Sequence, residues 1–92
     1  MSVKLNPRCL KLLEKAIDNP CGLRFFQLRL LCECIGMTLE RTCGSHFIYR
    51  SNDPFYILSI QKMKDGKAKP YQVRQLVDFI EENDLAEGEK ED

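Results

Sequence analysis

Long apolar runs are missing from this chain. No uncharged stretch of its 92 residues approaches the roughly 20 needed to cross a bilayer, so no membrane span is expected. Residues 1–17 carry charges where a secretory signal would place an apolar segment, which makes export unexpected and a cytoplasmic setting the working expectation. There is no glycine-rich loop of the kind that cradles phosphates, and no Ser-His-Asp pattern in a supporting context. Cys32-Glu33-Cys34 lacks the spacing of a zinc ribbon, its two thiols point different ways on a helix, and no second Cys or His pair completes a site. No metal and no cofactor is expected. Neither repeats nor a linker divide the chain, and a second core would not fit at this length. One domain is expected over residues 1–85, followed by an acidic, solvated tail over 86–92.

Five cysteines are present (Cys9, Cys21, Cys32, Cys34 and Cys43), an odd number for a disulfide scaffold. In a reducing cytosol they read as free thiols that pack as small core hydrophobes. Net charge is zero, yet it is unevenly spread. Residues 1–80 hold 13 Lys/Arg against 7 Asp/Glu, a balance of +6, whereas residues 81–92 hold 7 acids and one Lys, a balance of −6. A basic body of this kind suggests a surface for a polyanion.

Asn6-Pro7 has the form of an N-cap followed by proline at the first helical position. Leu10, Leu13, Ala16 and Ile17 recur at helical spacing until Asn19-Pro20 ends the run. A second helix is expected over residues 23–35, with Leu28, Leu31, Cys32 and Ile35 on one face and Gly36 as its stop. The period then changes to two. Residues 38–42 and 47–49 read as strands around a Cys43-Gly44-Ser45 turn, Ser51-Asn52-Asp53-Pro54 as a second turn, and residues 55–60 as a third strand. Residues 62–69 read as a flexible basic loop. Pro70 opens a last helix carrying Val73, Leu76, Val77 and Ile80 on one face. The expected fold is α+β in the order α-α-β-β-β-α, a three-stranded antiparallel meander with one face covered by the helices. Its helix–three strands–helix part matches the layout of double-stranded-RNA-binding domains, which read A-form shape through 2′-hydroxyls and phosphates.

His46 is the sole histidine and the only side chain whose ordinary pKa, roughly 6.5, lies near neutrality. It follows Gly44-Ser45, where a tight turn can hold a side chain rigid yet exposed. Lys62, Lys64, Lys67 and Lys69 form the second candidate site, a loop able to hold a phosphate backbone at the start of a helix. A Cys43/His46 nucleophilic pair is conceivable, but it lacks an orienting third group.

Gly44-Ser45-His46-Phe47-Ile48-Tyr49 after a helix–strand unit, and Lys69-Pro70-Tyr71-Gln72-Val73 opening the final helix, resemble the HicA family over residues 11–85. These are the toxins of HicA–HicB type II toxin–antitoxin systems. The resemblance implies a double-stranded-RNA-binding-like fold and a metal-independent endoribonuclease that cuts mRNA. It also implies His46 as the essential histidine and a HicB-like antitoxin protein as the partner that masks it. Many members carry a second histidine where this chain has Phe47, and a histidine or arginine where it has Gln61-Lys62. His46 therefore has no imidazole partner here. In the resulting scheme His46 is the general acid/base and Lys62 and Lys64 neutralise phosphate charge. Lys67 and Lys69 hold the strand, and Ser45 and Tyr49 donate supporting hydrogen bonds. Two rivals stand beside it: a non-catalytic RNA-binding module using the same basic face, and an interaction protein that docks a partner helix on Phe25 and Phe26.

Overall fold

A computed structural model describes residues 5–85, so the expected tail over 86–92 lies outside the described residues. Helix α1 spans Pro7–Asp18. Asn6 caps it by accepting the Cys9 N–H on Oδ1 at 2.8 Å, and Pro7 occupies the first turn, where a missing N–H costs nothing. Leu12, Leu13 and Ala16 form its buried face, while Ile17 is left in solvent. A single 3₁₀ turn, Pro20–Gly22, leads to helix α2, Phe25–Cys34. α2 starts two residues later than its apolar pattern suggests. The backbone of residues 23–25 is committed elsewhere: the Leu23 carbonyl accepts the Ala68 N–H at 2.9 Å, and the Phe25 N–H donates to the Gly66 carbonyl at 3.0 Å. The helix ends as Gly36 takes φ +90°, with the Met37 N–H returning to the Cys32 carbonyl at 3.0 Å.

Strands β1 (Thr38–Cys43), β2 (His46–Asn52) and β3 (Phe55–Gln61) form one antiparallel sheet in the order β1-β2-β3. Each hairpin is closed by two residues. Gly44, at φ +62°, and Ser45 join the first pair, and Asp53-Pro54 joins the second, where Ser51 Oγ donates to the Pro54 carbonyl at 2.7 Å. The β2–β3 register runs without a break from His46↔Gln61 to Asn52↔Phe55. In β1–β2 it shifts between Leu39 and Arg41, which bulges the edge strand. Helix α3, Pro70–Glu82, returns across the same side as α1 and α2, and buried Leu85 keeps the chain packed to the end of the described region.

The fold is thus α+β in the expected order, with the helix–three strands–helix layout. Tyr49, Leu58 and Ile60 from the sheet join Leu28, Leu31 and Cys32 of α2 and Val73, Leu76 and Ile80 of α3 in one core. Coverage of the sheet is less even than expected. Every residue of β1 is exposed, because the helices sit over β2 and β3 and leave the first strand projecting.

The cysteine reading requires correction. Cys9 on α1 and Cys34 at the end of α2 form a disulfide, and Cys21 and Cys43 are exposed. Only Cys32 is a buried free thiol, and burial pushes it up to about 12. Facing helices bring Cys9 and Cys34 within bonding reach, a juxtaposition that their 25-residue separation conceals.

Candidate active site

The pleat of β2 sends alternate side chains to opposite sides. Phe47, Tyr49 and Ser51 face the helices, and His46, Ile48 and Arg50 face the open side. His46 is therefore exposed at the first residue after the Gly44-Ser45 turn. Its Nδ1 lies 3.1 Å from Ser59 Oγ, on the neighbouring strand and one pleat away from its register partner Gln61. When Nδ1–H donates to Ser59, Nε2 carries the lone pair and is the nitrogen left for a substrate proton.

A second line of hydrogen bonds runs beside it. Lys69 Nζ donates to Gln61 Oε1 at 2.8 Å, and Gln61 Nε2 donates to Ser45 Oγ at 2.9 Å. The Gln61 N–H donates to Oε1 of Gln72, which is buried in the first turn of α3, at 3.0 Å. These bonds fix the start of α3 against edge strand β3. They also frame a groove of about 370 Å³ lined by His46, Tyr56, Ser59, Tyr71, Gln72 and Gln75. Ser45 and Lys69 are thus tied to Gln61, the register partner of His46, while the histidine's own hydrogen bond goes to Ser59.

Tyr49 lies apart from them. It stands three residues after His46 on a strand, so it points to the other face, where it is fully buried. Its hydroxyl accepts from Arg29 Nε at 2.9 Å and lies 3.5 Å from Glu33 Oε2. Burial raises its pKa against the opposing pull of Arg29. Tyr49 is a core residue, and no supporting bond from it reaches His46.

The lysine segment is an organised structure rather than a flexible loop. The Met63 N–H donates to the Lys67 carbonyl at 2.9 Å, Asp65 Oδ1 accepts the Lys67 N–H at 3.0 Å, and Ala68 is fully buried. Isolated bridges pair Lys62 with Ala68 and Lys67 with Arg24. Lys62 and Lys64 are exposed, and Lys67 and Lys69 are half-buried. Arg24 adds a cation beside Gly66, a neighbour that sequence order hides.

Cys43 faces His46 across the first hairpin and is exposed, but the histidine's hydrogen bond goes to Ser59. Of the two phenylalanines considered for docking, Phe25 is core, packed edge-on against Phe47 with ring centroids 5.2 Å apart. Phe26 alone is exposed. Among the described residues, no three His, Cys, Asp or Glu side chains come together as a metal site would require. No described helix is long and apolar enough to cross a membrane.

Ser59, Gln61, Gln72, Tyr71 and Gln75 complete the site without having been singled out as functional. Ser59 had a weak signal, the one serine inside the apolar run 55–60. Gln72 had another, an amide next to the buried face of α3. No family model, curated protein or solved structure matches this chain.

Proposed function

We propose that this chain is a small, metal-independent endoribonuclease that cleaves mRNA in the cytoplasm. In this reading it is the toxin of a type II toxin–antitoxin pair, similar to HicA, and a HicB-like antitoxin protein restrains it. One observation carries the reading: the only imidazole of the chain is exposed on the open sheet face, with Nδ1 anchored by Ser59 and a lysine-bearing hydrogen-bond chain beside it. The basic body and the quoted motifs support it further.

The chemistry uses these side chains together with water. The ribose 2′-hydroxyl attacks the adjacent phosphorus and passes its proton to His46 Nε2. The P–O2′ bond forms as the P–O5′ bond breaks, the 5′-oxygen takes a proton from water, the imidazolium returns its proton to the hydroxide so formed, and a 2′,3′-cyclic phosphate results. Lys69, tied through Gln61 to Ser45, brings positive charge to this side of the turn, and Lys62, Lys64 and Lys67 attract the strand. Phe47 packs on the helix side against Phe25, with Arg29 4.7 Å above its ring, so the acid/base work falls on His46 alone. A single such group contributes about 10²–10⁴-fold.

His46→Ala is the decisive variant. Expressed without a partner, the wild-type chain should arrest growth and degrade mRNA. The variant should do neither, while still folding and binding RNA. Equal toxicity of the two removes His46 from the mechanism. RNA binding without cleavage by the wild-type chain favours the non-catalytic module instead.

A further inference from the structure

Tyr71 is the feature of the groove that neither the core nor the cleavage step uses. The residue is 55% exposed, although it sits in the first turn of a helix whose other aromatic, Phe79, is buried. The ring does not hang free. Gln72 Nε2 lies 3.3 Å from its hydroxyl, and Gln72 Oε1 accepts the N–H of Gln61, the register partner of His46. Two hydrogen bonds therefore connect an exposed aromatic ring to the strand pair that carries the imidazole. Gln75, four residues further on the same helix, is exposed and lines the same groove. Its amide offers one donor group and one acceptor.

An anchored ring of this kind is of little use to a protein that reads only duplex shape, since A-form contacts go to 2′-hydroxyls and phosphates. It suits an unpaired base, because every nucleobase presents a π-face once it leaves the stack. Resting on the endoribonuclease reading above, we propose that Tyr71 is a stacking platform for a nucleobase next to the scissile phosphate. Gln75 reads the edge of that base, and the substrate is unpaired RNA rather than duplex. The layout is shared with duplex binders, but the groove at the β3 edge is built for a single strand. Base choice then lies on the first two turns of α3.

The test uses the full chain carrying His46→Ala, so that RNA stays intact. The probe is a single-stranded oligoribonucleotide with 2-aminopurine placed at successive positions, alone and annealed to its complement. Binding should quench the fluorophore at one position, and the annealed form should bind more weakly. Adding Tyr71→Phe, which keeps the π-face but removes the hydrogen bond to Gln72, should preserve the quenching and weaken affinity less than Tyr71→Ala does. Adding Tyr71→Ala should abolish it and weaken affinity roughly 5- to 150-fold, the range for loss of one base–aromatic stack. Gln75→Ala should flatten the preference among the four bases, and an unchanged preference removes Gln75 from the reading. Equal affinity and equal quenching with Tyr71→Ala, or tighter binding of duplex, overturns the stacking platform and leaves the nuclease reading to its own assay. Absence of any RNA binding at low salt overturns both.

Discussion

Tyr49→Phe separates the core of this protein from its chemistry, because it deletes a single oxygen on the face opposite His46. The ring stays in place, fully buried, so no cavity opens. The loss is the hydrogen bond from Arg29 Nε at 2.9 Å, since the Glu33 contact at 3.5 Å is too long to count for much. A bond to a charged partner is worth about 1.5–3 kcal/mol. Arg29 is only half-buried and water can replace part of what it loses, which places the cost near the lower end, about 1.5 kcal/mol. For a domain of this size each kcal/mol moves Tm by about 4–8 °C, so Tm should fall by about 6–12 °C. Far-UV circular dichroism melts would read the shift, and cleavage of an RNA oligonucleotide well below Tm should proceed at the wild-type rate. A tenfold loss of cleavage with an unmoved Tm would refute the reasoning and return Tyr49 to the active site.

Replacing Lys64 and Lys67 together by Gln should make the dependence of log affinity on log salt shallower by about 1.4, which is two phosphate contacts at about 0.7 each. An unchanged slope would place the RNA elsewhere. Cys9→Ser with Cys34→Ser should lower the stability of the oxidised chain by about 3.5 kcal/mol in urea melts, since the bond closes a 25-residue separation. The same melts on the reduced wild-type chain should match the double variant. Iodoacetamide should label Cys21 and Cys43 in the native chain but spare Cys32, whose thiol is held near 12 against an ordinary value of 9.0. Because its folded value lies above the unfolded one, Cys32 stabilises fully below pH 9 and loses that contribution as pH rises towards 12.

Local signals made the elements legible. Asn6 caps α1 with its side chain, Pro7 and Pro70 open helices, Gly36 and Gly44 take positive φ, and each marks a boundary in the structure. Three departures have one source: they involve partners distant in sequence. α2 begins late because residues 66–68 occupy the backbone ahead of it. The 62–69 segment has the composition of a free loop but is closed by its own hydrogen bonds and by those same contacts. The Cys9–Cys34 bond depends on how two helices face each other, which spacing along one helix cannot reveal. Tyr49 differs, because its error was avoidable. Alternation along β2 already places residues 46 and 49 on opposite faces, which their grouping within one six-residue segment obscured.

That alternation divides the work of the sheet. On β2, Phe47, Tyr49 and Ser51 turn to the helices and hold the fold, whereas His46, Ile48 and Arg50 turn to the open side. On β3, Leu58 and Ile60 are buried, while Ser59 reaches His46 from the open face. The buried and the open faces meet at Gln61 and Gln72. Gln72 is buried with the α3 core, yet its amide holds both the Gln61 backbone and the Tyr71 hydroxyl. Val73, Leu76 and Ile80 therefore set more than stability. By docking α3 they fix how far its first turn stands from the β3 edge, and so the width of the groove in front of His46. The core reaches the groove through an amide rather than through the histidine itself, whose one bonded partner among the described residues, Ser59, lies on the sheet.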